Sequence, residues 1–81
     1  MELRSVETFL AVVEHGTFSR AAERLGYSQS AVTVQVARLE RELGVRLFDR
    51  LPRGVALTEQ GRAFVFHARE LLGAPLQRAP R

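Results

Sequence analysis

The chain has 81 residues, of which 46% are hydrophobic and 26% charged, and its formal net charge is +3. This balance is ordinary for one small globular domain and argues against global disorder. The chain contains no cysteine, which excludes disulfides, zinc ribbons and thiol chemistry. The first residues do not combine a basic segment with an uninterrupted apolar run, so we expect no signal peptide or membrane span and a cytoplasmic location.

The type and position of the basic residues give a weak indication that the partner is a polyanion. All 12 are arginine, which forms planar bidentate contacts with phosphate and guanine. A GC-rich genome that encodes arginine in place of lysine would produce the same bias. The position of the arginines is a second indication of a polyanionic partner, because arginines outnumber acidic residues after residue 45. Residues 45–62 contain Arg46, Arg50, Arg53 and Arg62 against Asp49 and Glu59.

A first amphipathic helix is predicted over residues 3–14. Its apolar stripe recurs at steps of three and four residues and consists of Leu3, Val6, Phe9, Leu10 and Val13. Gly16 stands where a left-handed residue commonly ends a helix. We expect this helix to support the elements that follow.

A pair of helices joined by a tight turn is predicted between Thr17 and Gly44. Thr17 is a suitable N-cap for a short helix from Phe18 to Leu25, and Gly26 supplies the bend. Ser28 can cap a longer helix, whose predicted buried stripe is Val32, Val36, Leu39 and Leu43.

The spacing of Ala22, Gly26 and Val32 is typical of a helix-turn-helix. It provides a small contact residue, a left-handed turn and an apolar anchor in the second helix. A generic αα-hairpin in a small bundle is the alternative.

Two short strands are predicted after the helix pair. Residues 46–50 alternate apolar and polar side chains, residues 55–58 can pair with them, and a Pro-Arg-Gly turn lies between. This pattern indicates a two-stranded wing, with an irregular loop as the alternative.

A fourth helix is predicted over residues 59–72, with Thr58 as its cap and Glu59 in its first turn. Its apolar residues cover more than one stripe, so one face can pack on the first helix while another is available to a second copy. The predicted dimer interface is Phe64, Val65, Ala68, Leu71 and Leu72. We therefore divide the chain into a DNA-binding domain (1–58), a linker helix (59–73) and an irregular tail (74–81) that contains two prolines.

The segments FLAVVEHGTFSRAAERLGYSQSAVTVQVARLERELGVRLFDR and LTEQGRAF resemble the N-terminal DNA-binding domain of LysR-type transcriptional regulators. The resemblance extends from about Leu3 to Leu72. It implies a mostly α winged helix-turn-helix, with a three-helix core and a two-stranded wing, followed by a dimerisation helix that pairs two subunits antiparallel. The third helix would enter the major groove of double-stranded operator DNA, and the wing would contact the adjacent minor groove or phosphates.

Family members continue into an effector-binding domain that is absent from this sequence. A small-molecule effector would therefore act only through that missing domain, and a full-length form could assemble beyond a homodimer. The sequence is consistent both with a shortened form of a longer protein and with a naturally short protein.

Two positions depart from the family pattern. Ser30 stands where many members have proline, and it adds a hydroxyl to the first turn of the third helix. Val34 stands where many have arginine or another polar residue, so one contact to base or phosphate is expected to be absent. Contact with a thymine methyl is a possible replacement.

The proposed DNA contacts centre on the start of the third helix. Gln29 can present its amide to adenine, while Ser30 and Thr33 can bond phosphate or a base edge. Solvent exposure without DNA contact is the alternative for all of them. The complete predicted set is Ser19, Arg20, Ser28, Gln29, Ser30, Thr33, Val34, Gln35, Arg38, Arg50 and Arg53. Arg53 is assigned to the minor groove or a phosphate, and Arg50 to a phosphate, with an ion pair to a nearby carboxylate as the alternative for Arg50.

An enzyme is not expected. His15 and His67 lie in different predicted helices without metal-ligand spacing, and there is no Ser/His/Asp set or phosphate-binding glycine loop. We therefore predict no catalytic residue, metal or cofactor. The competing class is a protein-interaction module that uses the surplus apolar face of the fourth helix. Salt distinguishes the two, because DNA affinity falls steeply as salt rises.

Overall fold

The computed structural model describes residues 1–73, and the predicted tail from residue 74 lies outside them. The order is α1 (Leu3–His15), α2 (Phe18–Leu25), α3 (Gln29–Leu43), β1 (Phe48–Arg50), β2 (Val55–Leu57) and α4 (Glu59–Leu71). Three helices pack together, the two strands form one antiparallel sheet, and α4 returns to pack on α1. This confirms the predicted winged helix-turn-helix.

The helix ends follow the predicted chemistry. The side chains of Thr17, Ser28 and Thr58 accept hydrogen bonds from backbone N–H groups three residues ahead, at 2.9, 3.1 and 2.9 Å. Each bond satisfies an N–H that has no partner within its helix. In the turn between α2 and α3, Gly26 has φ 77°, a backbone conformation that residues with a Cβ rarely adopt.

The core gathers side chains from every element around an aromatic centre. The Phe9 ring lies 5.3 Å from both the Phe48 ring and the Phe64 ring, so α1, β1 and α4 meet at one point. Leu39 and Leu47 are fully buried beside them. One residue of the predicted apolar stripe is not buried, because Leu3, in the first turn of α1, is 54% exposed. Val12, absent from the predicted stripe, is fully buried instead.

The strands are shorter than predicted. β1 pairs with β2 in the register Phe48↔Leu57, and the pairing begins only at Phe48. The two preceding carbonyls are used elsewhere, because Arg46 O accepts the Thr58 hydroxyl at 2.6 Å and Leu47 O accepts Thr58 N–H at 2.9 Å. These bonds join the start of the wing to the start of α4.

The wing is also fixed to the turn between α1 and α2. Val55 N–H donates to Gly16 O at 3.2 Å. Gly54 has φ 78°, and a Cβ there would lie 2.6 Å from Gly16 O. Only glycine therefore allows this close approach of the two backbones.

A carboxylate on α3 holds the first strand. Glu40 Oε2 accepts Leu47 N–H at 2.7 Å and Phe48 N–H at 3.3 Å. The sequence did not reveal this role, because the strand that Glu40 holds is reached only through the tertiary packing of the wing on α3.

We expect Glu40→Ala to lower the free energy of unfolding by about 1.5–3 kcal/mol, the range for hydrogen bonds to charged groups. The reason is that a backbone N–H at the buried Leu47 would lose its acceptor. Glu40→Gln keeps a side-chain oxygen and should cost less. Urea denaturation of both variants measures the difference, and equal small losses would show that the carboxylate does not hold the strand.

Candidate nucleic-acid interface

One long side of α3 is free of the core. Val32, Val36 and Leu39 are buried on the opposite side. The free side, which we call the reading face, consists of Gln29, Ser30, Thr33, Val34, Ala37, Arg38 and Arg41, all exposed or half-buried. It presents an amide, hydroxyls and guanidinium groups along four turns. The predicted residues Gln29, Ser30, Thr33, Val34 and Arg38 lie on this face, while Ala37 and Arg41 were not predicted.

Hydrogen bonds within the chain fix the orientation of two hydroxyl groups at the start of α3, those of Ser28 and Thr33. Ser28 Oγ accepts from Ala31 N, so its own hydrogen remains available to an outside acceptor. Thr33 Oγ1 donates to Gln29 O at 3.1 Å, which leaves its oxygen available to accept. Ser28 thus suits a phosphate, whereas Thr33 suits a donor such as a base amino group.

Gln35 is half-buried at the border of the reading face, where it lines a groove with Ser30 and Val34, but part of its amide is already used within the chain. Its Oε1 accepts from the hydroxyl of Thr8, a fully buried residue of α1, at 2.6 Å. Gln35 stands three residues after the buried Val32 and four before the buried Leu39, so helical geometry turns it towards the packed side of α3. Its role in this structure is to tie α3 to α1.

Arg38 lies at the edge of the reading face beside the start of α1. Its Nη1 is 3.6 Å from Glu2 Oε1, and both side chains are largely exposed. Such surface ion pairs contribute at most about 1 kcal/mol, so DNA could replace Glu2 at low cost.

Arg4 is an additional basic residue at this edge. It lines a shallow groove with Ser30, Val34 and Arg38, between the start of α1 and the first turns of α3. The sequence shows Arg4 only as a polar position on a supporting helix, because the packing of α1 beside α3 is a tertiary feature.

A second group of predicted residues meets at the junction of α2, α3 and the wing. Ser19, Gln29 and Arg50 line one depression there, together with Gly54. Arg50 does not pair with a carboxylate within residues 1–73. Its Cζ lies instead 4.4 Å from the centroid of the Phe18 ring.

The last two predicted DNA contacts occupy separate places. Arg53 is exposed in the turn of the wing between β1 and β2. Arg20, although adjacent to Ser19, lines a different depression with His15, Glu23 and Arg24. The structure therefore does not bring Arg20 to the depression that contains Gln29 and Arg50.

The α4 surface differs from the predicted dimer interface. Phe64 (9% exposed) and Ala68 (fully buried) pack in the chain's own core, and Phe64 lies edge-on to Phe9. The prediction that these two face a second copy is therefore wrong, because α1 already covers them.

The other residues of the predicted interface are more exposed. Val65 and Leu72 are half-buried against the core, whereas Leu71 is 46% exposed. Phe66, which the predicted set omitted, is 72% exposed.

The described residues give no indication of a metal centre or a membrane span. No group of three or more His, Cys, Asp and Glu residues able to hold a metal ion occurs in residues 1–73. Within the same part of the chain, no helix is long and apolar enough to cross a membrane.

Comparison with known proteins decides the family. The model of bacterial regulatory helix-turn-helix proteins of the lysR family matches residues 3–62. The chain belongs to the lysR family. The match includes α1, α2, α3, the wing and the first turn of α4.

The relatives of this LysR-family chain include named regulators. It is 47% identical over 81 residues to the HTH-type transcriptional regulator TfdT of Cupriavidus pinatubonensis, covering all of this chain and 35% of TfdT. It is 53% identical over 72 residues to an HTH-type transcriptional regulator from the ibpB-leuC intergenic region of Azotobacter vinelandii, covering 89% of this chain and 50% of that protein. The chain thus spans half or less of the length of these relatives.

Solved structures of LysR-family DNA-binding domains match the fold closely. The CbnR_DBD–DNA complex is 41% identical, covers all of both chains and superposes with a TM-score of 0.87. The complex of BenM_DBD with benA site 1 DNA is 39% identical, covers 99% of this chain and 90% of that one, and has a TM-score of 0.85.

Proposed function

We propose that this LysR-family domain binds double-stranded operator DNA sequence-specifically, with the reading face of α3 in the major groove and the wing on the adjacent minor groove or phosphates. The observation that carries this proposal is the reading face itself. It is mostly polar, is exposed or half-buried, begins at a capped helix N-terminus, and lies opposite the buried residues of α3. The solved DNA complexes of the CbnR and BenM domains support the same use of this fold.

The residues divide into base-reading and backbone-contacting groups. Gln29 and Thr33 lie on the first turns of α3 and are assigned to base edges, with Val34, 57% exposed, against a thymine methyl. Phosphate contacts are assigned to the residues around them. These are Ser19, Ser28, Ser30, Arg38 and Arg50, together with the newly placed Arg4.

The proposal is tested by duplex binding measured as a function of salt, with Arg53→Ala as the informative variant. We expect wild-type affinity to fall steeply from 50 to 200 mM salt, because each neutralised phosphate releases condensed counterions. Removing the exposed Arg53 should reduce the slope of log K against log salt by about 0.9, the contribution of one phosphate contact. Arg24→Ala, which does not border the depression that contains Gln29 and Arg50, is the control with an unchanged slope. Absence of duplex binding at low salt would overturn the function.

Gln29→Ala is expected to cost about 1–3 kcal/mol on the best operator and to blur the preference at one base pair. The reason is that its amide stands exposed at the start of the reading face. Competition binding against single-base variants of the operator measures the effect. An equal loss on all sequences would show that Gln29 contacts the backbone instead of a base.

We further propose that the domain acts as a homodimer through α4, with residues 1–58 as the DNA-binding part and residues 59–73 as the linker helix. The exposed Phe66 and Leu71, five residues apart on α4, leave apolar surface on two sides of the helix for a second copy. Any higher assembly or small-molecule effector would belong to a longer form of the protein. It would regulate transcription without a catalytic function. Its place of action would be the cytoplasm, which contains the bacterial chromosome.

A further inference from the structure

We infer that Phe18, a buried residue outside the reading face, positions the guanidinium of Arg50 for its phosphate contact. This inference rests on the proposed DNA-binding function. Phe18 is the first residue of α2, and its side chain is buried. Its ring faces the Arg50 guanidinium, with 4.4 Å between Cζ and the ring centroid.

The ring is itself held in a fixed orientation. Phe18 is 6% exposed, and its ring meets that of Phe48 edge-on at 6.0 Å and 75°. Because Phe48 also lies against Phe9 in the aromatic centre, the Phe18 ring is connected directly to the core. Arg50 therefore stacks on a rigid platform, although its own strand is only three residues long.

Stacking restrains Arg50 without using its donors. The ring attracts the guanidinium through its charge and takes none of its five N–H groups into a conventional hydrogen bond, so these groups remain available to an outside acceptor. A carboxylate partner would occupy those same N–H groups, and within residues 1–73 Arg50 has none. A restrained arginine loses less conformational freedom on binding, which favours a bidentate phosphate contact.

The location of the stack suits a phosphate of the DNA strand beside α3. Phe18 and Arg50 both border the depression that contains Ser19 and Gln29, and both also border the groove between α3 and β1 that contains Thr33. Arg50 thus stands between the base-reading start of α3 and the wing. A phosphate held there would fix how deeply α3 enters the groove.

A double-mutant cycle on operator affinity tests the inference. We expect Arg50→Ala to weaken binding about tenfold and Phe18→Leu about threefold to fivefold, the ranges for losing a charge-assisted contact and a cation–π contact. The double variant should bind like Arg50→Ala alone, because Phe18 acts through Arg50. Both single variants should reduce the salt slope. As control, Phe18→Leu combined with Arg24→Ala should show independent effects, since Arg24 lies at the other end of α2.

Two further measurements do not depend on the folding of Phe18→Leu. Fluorinated phenylalanines at position 18 keep the shape of the ring but weaken its negative face, so affinity should fall stepwise with fluorination at an unchanged melting temperature. NMR relaxation of the arginine Nε–H groups in the free protein should show Arg50 more restrained than Arg24.

Several results would overturn the positioning role. The role is overturned if the effects of Phe18→Leu and Arg50→Ala are independent, or if Arg50→Ala binds with full affinity. It is also overturned if fluorination at position 18 leaves the affinity unchanged, or if the Arg50 side chain is as mobile as that of Arg24. In each case wild-type protein would still bind duplex DNA, so the proposed function would stand. Failure of wild-type protein to bind at low salt would overturn the function and this inference together.

Discussion

Replacing Phe66 with glutamate is expected to give folded monomers that bind the operator about a hundredfold more weakly or worse. Phe66 is 72% exposed on α4, so the charge would remain in water within the protomer but would be buried at an interface between two copies. A dimer places two reading faces on one DNA molecule, and losing the second attachment forfeits the avidity of about 10²–10⁴ that linked binding gives. Sedimentation and operator titration measure the two effects.

The matched control is the neighbouring phenylalanine. Phe64 is 9% exposed and packs edge-on against Phe9, so Phe64→Glu should unfold the protomer instead of separating a folded dimer. Circular dichroism distinguishes the outcomes. If Phe66→Glu remains a dimer at micromolar concentration, the interface lies on another surface. If Phe64→Glu yields folded monomers, the assignment of Phe64 to the core is wrong.

Gly61→Ala should destabilise the domain by about 1–3 kcal/mol, the usual range for overpacking. In an exposed helix the same change would stabilise by about 1 kcal/mol through helix propensity. Here a Cβ would overlap Leu47 O and lie 2.9 Å from Leu57 Cδ2, so α4 would have to move away from the wing.

That movement would strain the bonds between Thr58 and the start of the wing, whose turn carries Arg53. We therefore expect Gly61→Ala to reduce DNA affinity and the salt slope as well. Gln60→Ala, an exposed neighbour on α4, is the control with a change within about 0.5 kcal/mol. A Gly61→Ala variant that melts higher than wild type would show that α4 does not pack closely on the wing.

Local signals in the sequence were sufficient to predict the elements and their order. Thr17, Ser28 and Thr58 are cap residues whose bonds are made within three residues, and Gly26 marks its own turn. Those interactions depend on neighbours in the chain, so the pattern of residue types specifies them.

Roles that depend on which elements meet could not be predicted in this way. On α4, apolar residues occur all round the helix, and only the position of α1 decides that Phe64 is buried and Phe66 exposed. Gln35 looks like an outward polar residue until the hydroxyl of Thr8 is placed beside it. The contact of Arg50 with Phe18 joins residues 32 positions apart and has no local signature.

Selection of bound sequences from a random duplex pool, at one fixed salt concentration, tests whether the domain reads DNA sequence as a symmetric dimer. The reading face of α3 and a dimer through α4 predict enrichment of one inverted pair of half-sites, centred about one helical turn (about 10 base pairs) apart. Recovery of sequences with no common motif would show that the domain does not read DNA sequence, and a single half-site without a partner at fixed spacing would show that it does not bind as a dimer.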